Sequence, residues 1–277
     1  MSYKSLLVHL NRAERCEAVL DTAIDLARRY NVHLIGLYLR PRIQSALTID
    51  SLGHANILND EVAAEHENET TIRATFERMT TGQPWTSEWR AVAATLPDFA
   101  GNALEHAHVA DLVVASQSDP EWEQSSRLDF PERLILESGR PVLLVPYVGN
   151  YREIGRTIVI AWKPGRESAR AVFNAIPILK TANSVHILQI AERRREAIAP
   201  AIGLASALVR HGIKAELQSS HAVDHSICSE LLSRLADLSA DLLVMGAYGH
   251  TRLREYVFGG ATRDITHSMT VPTLFSH

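Results

Sequence analysis

Four glycines mark the stretch whose residue types and spacing point to chemistry: Gly246, Gly249, Gly259 and Gly260, spaced as G-x2-G-x9-G with one glycine more. They close and follow the apolar run Leu242-Leu243-Val244-Met245 and lead into Ala261 and Thr262. A buried parallel strand that runs out into glycines, then a polar segment, then a helix, gathers bare backbone N–H groups and a positive helix end in one place. With no Cβ in the way, such backbone can come close to phosphate oxygens. The chemistry is anion binding, and a nucleotide is the ligand it suits. Within the loop, His250 and Arg252 are donors that either meet phosphate oxygens or stay solvated. Tyr248 suits stacking on a base or packing as a lid, while Tyr256, Val257 and Phe258 suit a core.

Other chemistry finds no frame. There is no G-x-S-x-G elbow and no G-x4-G-K-[ST] loop, so the expected act is binding rather than turnover, with slow ATP hydrolysis a third reading. Cys16 and Cys228 are the only cysteines and both fall in helical patterns, which leaves no thiolate cluster for zinc and suits a reducing cytoplasm. His221-Ala222-Val223-Asp224-His225 has an i, i+4 histidine pair, but at a loop-to-helix junction, where Asp224 reads as an N-cap; no structural metal is expected. His106 and His108 read as buried or capping residues, and Trp85 and Trp89 as core-facing or edge-covering ones. A net charge of −4 excludes a broad nucleic-acid surface, and Arg193-Arg194-Arg195, flanked by Glu192 and Glu196, reads as a solvated helix start. No apolar run approaches the ~20 residues of a membrane span, and the first residues enter a strand without a signal-peptide pattern.

The elements that must position the glycine loop repeat. Leu6-Leu7-Val8-His9-Leu10-Asn11 aligns with Ile158-Val159-Ile160-Ala161-Trp162-Lys163. Helical periodicity follows in both, at Ala18, Leu20, Ala23, Ile24 and Ala27 and at Ala169, Val172, Phe173, Ile176 and Leu179. Second strands are predicted at 32–38 and 184–190, third strands at 86–92 and 213–219, a long helix from Asp60 to Met79, and helices at 100–107 and 227–238. Ala110-Asp111-Leu112-Val113-Val114 matches Ala240-Asp241-Leu242-Leu243-Val244, and Pro141-Val142-Leu143-Leu144 faces Pro272-Thr273-Leu274-Phe275. Alternating strands and helices imply an α/β fold with parallel sheets, here as two tandem five-stranded domains, 1–148 and 154–277. The loop after the first-half match, Ala115 to Glu123, has no glycine and three acids, so the first copy is expected to be a structural partner.

The glycine spacing, with Ala240 to Met245 ahead and Thr270 to Leu274 behind, resembles the universal stress protein family, and the likeness covers both halves in outline. It implies a Rossmann-like sheet of strand order 3-2-1-4-5 in each half, with the two halves packed as a pseudo-dimer and a further homodimer open. It also implies a cytoplasmic stress-response protein that binds ATP or a related adenine nucleotide and signals to a protein partner. The ligand would sit between Ala161-Trp162-Lys163 and the segment holding Met245, Gly246, Gly249, His250, Arg252, Gly259, Gly260, Ala261 and Thr262. The family places Ser or Thr after its third glycine; here Gly260 stands there, with Thr262 the nearest hydroxyl. Where relatives carry Asp after strand 1, this chain has Asn11 and Lys163, and Lys163 either pairs with phosphate or lies along the crevice toward water. The rival reading is a nucleotide-independent interaction module of the same fold.

Overall fold

Leu6, Leu7 and Val8 are fully buried, as are Leu112, Val113 and Val114, and Ile158, Val159 and Ile160. Strands with apolar residues on both faces cannot lie on a surface; they need helices above and below, which is the condition of a parallel sheet. The structure is a computed structural model that describes residues 2–41, 52–94, 99–119, 130–191, 201–222, 226–248 and 260–277, with side chains in the helix at 52–80 described from residue 62. Along the chain come β1 (Ser5–His9), α1 (Ala13–Tyr30), β2 (His33–Pro41), α2 (Leu52–Thr80), β3 (Ser87–Ala94), α3 (Phe99–Ala107), β4 (Leu112–Ser116), α4 (Phe130–Glu137) and β5 (Val142–Val145). Then follow β6 (Thr157–Ala161), α5 (Arg166–Asn174), α6 (Ile176–Leu179), β7 (Ser184–Ala191), α7 (Ile202–Arg210), β8 (Glu216–His221), α8 (Ile227–Asp237), β9 (Leu242–Gly246), α9 (Gly260–Ser268) and β10 (Thr273–Ser276).

Among the described residues the ten strands form one sheet, β3-β2-β1-β4-β5-β10-β9-β6-β7-β8. Numbered within its own half, each five reads 3-2-1-4-5, all parallel, and the halves meet through an antiparallel β5–β10 pair. Leu143 faces Leu274 at the centre of that pair, so the local two-fold runs between two equivalent leucines. Polar contacts also cross the seam. Tyr3 Oη donates to Asn174 O at 2.6 Å, Thr22 Oγ1 to Tyr151 O at 2.8 Å and Gln117 Nε2 to Thr266 O at 2.9 Å. Two apolar layers, one on each face of the sheet, run through both halves.

The matched Ala-Asp pairs have a structural cause. The Asp111 carboxylate accepts the backbone N–H groups of Lys4 and Ser5, at 2.7 and 3.0 Å, and Asp241 accepts those of Gly155, Arg156 and Thr157 at 2.9 to 3.1 Å. Each aspartate thus satisfies donors on the chain entering the first strand of its half.

Several expected elements shift. The long helix spans Leu52–Thr80 rather than 60–79, and the third strand of the second half begins at Glu216, with Ile213 buried in the turn before it. Phe173 does not join the core but is 47% exposed. The apolar period that included it assumed one helix, whereas the chain breaks at Ala175 into α5 and α6, with Pro177 at the start of α6. The cap of α8 is Ser226, whose Oγ accepts Ser229 N at 3.1 Å; Asp224 lies outside the described residues, as do His225 and the Arg193–Arg195 cluster. His106 contacts Arg90 and His108 contacts Glu137 O, both as surface polar partners. Trp85 is buried and Trp89 stacks on Tyr38 beside Phe76. Cys16 and Cys228 are free and buried in α1 and α8, and burial pushes their thiols up to about 12 and about 11. No described helix is long and apolar enough to cross a membrane, and no group of three metal-ligating side chains occurs among the described residues.

Candidate functional site

In the second half the winding reverses between β6 and β9, where open α/β sheets receive ligands at the carboxyl ends of their strands. The register brings Ala161 beside Met245, and both pack into the layer on one face. Trp162 donates its backbone N–H to Leu188 O at 2.8 Å and turns its ring to the other layer, while Lys163 is exposed. Ala161, Trp162 and Lys163 thus follow one another out of the carboxyl end of β6, beside the end of β9.

Gly246 closes β9 for a reason the spacing did not reveal. A Cβ built there would lie 2.4 Å from Ser168 N and 2.6 Å from the carbonyl carbon of Glu167. The first turn of α5 therefore presses its backbone onto the end of β9, and only glycine admits that approach. Glu167, buried in that turn, was not singled out from the sequence; an acid two residues after Gly165 at a helix start was the available signal. Burial opposes its ionisation. The hydrogen bonds from Arg166 and from its own N–H, with the charges of Arg166 and His277, outweigh that and hold the carboxyl below its usual range. An acid in the first turn also suits the helix dipole.

Across the crevice, Gly260 opens α9 and is exposed, and a Cβ there would find nothing nearer than Asp264 Oδ2 at 3.9 Å. Ala261 is half-buried and Thr262 buried. The Thr262 hydroxyl is engaged, accepting Tyr248 N–H at 3.2 Å and so fixing the exit of β9 to the start of α9. Tyr248 itself stands at φ 55°, a left-handed conformation that a side-chain-bearing residue keeps only when its surroundings hold it. Thr262→Val should cost about 1–3 kcal/mol by leaving that N–H without its acceptor, measurable by urea denaturation at neutral pH. Gly249, His250, Arg252 and Gly259 lie outside the described residues.

The same place in the first half is built differently. The β1–β4 and β6–β9 registers set Leu6 against Ile158 and Leu112 against Leu242; counted along the sequence from there, Arg12 aligns with Pro164, and Asp119 with Gly249, which lies outside the described residues. Arg12 Nη1 and Asp119 Oδ2 meet at 2.5 Å, an ion pair across the mouth between β1 and β4. Behind it Asn68 of α2 accepts Ala13 N–H at 3.1 Å and donates to Asn11 O at 3.0 Å and to the Tyr38 hydroxyl at 3.1 Å. Tyr38 in turn donates to Glu65, whose carboxyl burial pushes up. Asp119 was among the acids expected to disfavour phosphate here; the parts played by Arg12 and Asn68 arise only once α2 folds over the end of β1.

The molecule has close counterparts among solved structures. A universal stress protein from Archaeoglobus fulgidus superposes with a TM-score of 0.65 at 13% identity, over 98% of this chain and 95% of that one. The chain has the universal stress protein fold. A Pseudomonas aeruginosa protein described as of universal stress type gives 0.58 at 13% identity over 99% and 93% of the two chains. A functionally unknown protein from the same species gives 0.57 at 13% identity over 99% and 92%. No protein-family model and no curated protein matches the sequence. The universal stress protein fold therefore spans nearly the whole chain.

Proposed function

We propose that this chain is a cytoplasmic stress-responsive protein that binds an adenine nucleotide, ATP or a close relative, at the switch point of its carboxy-terminal half and acts by binding rather than catalysis. The observation that carries the reading is the difference between the two switch points. Where the first half sets Arg12 and Asp119 across the mouth, the residues aligned with them in the second half's sequence are Pro164 and Gly249, neither of a type that can form such a bridge. The residues that remain suit a nucleotide: exposed Lys163 on one side, and the open start of α9 at Gly260 on the other. Occupancy would change a surface that a protein partner reads.

Calorimetry with ATP tests this. The wild-type chain should bind with measurable heat, and Gly249→Val should lose it, because a β-branched side chain obstructs the close approach of backbone to phosphate. No heat from the wild type at about millimolar ligand, the weak end of useful affinities, would remove the proposal. A second reading, a nucleotide-independent interaction module, draws on Gly246 and Glu167, where helix backbone and a buried carboxylate occupy the floor. ATP retained through purification would count against it.

A further inference from the structure

His9 ends β1 with its ring inside the apolar layer shared by α3 and α4. It is 3% exposed, packs against Phe130 with ring centroids 4.2 Å apart and planes tilted by 36°, and its Nε2 is buried without a hydrogen-bond partner. Alternation along the strands puts Leu7 and His9 on the same face as Val113 and Ala115 of β4, with Gln117 just past the end of that strand. Phe99 and Phe130 close that face from α3 and α4, with Leu37 and Leu39 from β2. The charged groups on these elements are held elsewhere. Arg40 of β2 pairs with Glu69, Asp111 before β4 with the N–H groups of Lys4 and Ser5, His106 of α3 with Arg90, and Arg133 of α4 with Glu137. Glu105 of α3 is exposed, Glu132 of α4 is half-buried, and neither contributes to the titration of His9.

We propose that His9 makes the amino-terminal half acid-responsive: held without a partner against Phe130, its Nε2 takes a proton from solvent only once α4 loosens from β1, so acid favours that opening and with it release of the Gln117–Thr266 clasp between the halves. Among the described residues no carboxylate lies beside His9, and an imidazolium buried so has nothing there to offset its lost hydration. Gln117 follows directly on β4 and holds Tyr147 N–H as well as Thr266 O, so a shift of this layer reaches the seam directly.

The sign follows from the direction in which burial moves the group. Desolvation brings His9 from its ordinary value near 6.5 down to about 3, so the unfolded chain takes up the proton before the folded one. The stability it allows is complete above about pH 6.5, and each pH unit below that raises the unfolding constant about tenfold until the folded-state value is reached.

Urea denaturation of the full chain from pH 7.5 to 4.5, wild type beside His9→Leu, tests the proposal. The ratio of the two unfolding constants should change about tenfold per pH unit below 6.5, the wild type losing more. Parallel pH profiles would overturn it. Imidazole 15N shifts of the native wild type give a readout that needs no variant: His9 should stay neutral to below pH 4.5, and titration near 6.5 in the folded chain would overturn the idea. Hydrogen exchange at pH 5, corrected for intrinsic rates, should show β1 and α4 losing protection ahead of β6 and β9; uniform loss would refute the local opening.

Discussion

Gly246→Val is expected to destabilise the chain by about 3 kcal/mol, at the upper end of what an overpacked core position costs. Its Cβ would collide with main-chain atoms of Glu167 and Ser168, and a backbone cannot rotate away as a side chain can. Either α5 lifts from β9, exposing Val172 and Ala171, or β9 shifts and breaks its register with β6 and β10. The equivalent first-half position is Ser116, where a side chain is already accommodated, so Ser116→Gly should move stability by no more than about 1 kcal/mol. Chemical denaturation of both variants checks the contrast. Equal, small effects would mean that α5 does not press on β9 as described. Because the collision concerns folding, loss of nucleotide binding in Gly246→Val would not by itself locate a phosphate; Gly249→Val is the informative variant for that.

The second large effect is expected at the seam. Leu274→Ala removes a fully buried side chain that lies opposite Leu143 on the local two-fold, and should cost about 2–5 kcal/mol. Apolar layers run unbroken through β5 and β10, so the two halves should still melt in one transition, at lower denaturant with an unchanged slope. Two resolved transitions in the wild type would instead show that each half folds without the other. A chain held mainly by backbone pairing at β5–β10 would scarcely notice the substitution, and that outcome would remove the packing argument.

Much of this architecture was legible in the order of residues. Short runs such as Leu6-Leu7-Val8 and Leu242-Leu243-Val244 are apolar without alternation, which a chain tolerates only where both faces are covered. The repeat was readable because both copies keep Asp111 and Asp241 for the same task, gathering the N–H groups that lead into the first strand. Phe173 and Asp224 misled for local reasons. One fell on a helix that breaks at Ala175, and the other preceded the residue that does the capping, Ser226.

What the order of residues determined by itself is the class of fold, its duplication and the contrast between a glycine-rich and an acidic loop, because apolar periodicity and glycine content are local properties. Which side chains meet was decided by the tertiary structure. Arg12 and Asp119 are 107 residues apart and Asn68 is 57 from Asn11; the first pair joins because β1 and β4 are neighbours, the second because α2 packs beside the end of β1. Gly246 owes its glycine to a helix start nearly eighty residues earlier. His9 reads in sequence as one more polar residue at a strand end; α4 folding over it makes it a neutral, unpaired base in an apolar layer. Contacts of that kind depend on the path of the whole chain, and no short window of sequence contains them.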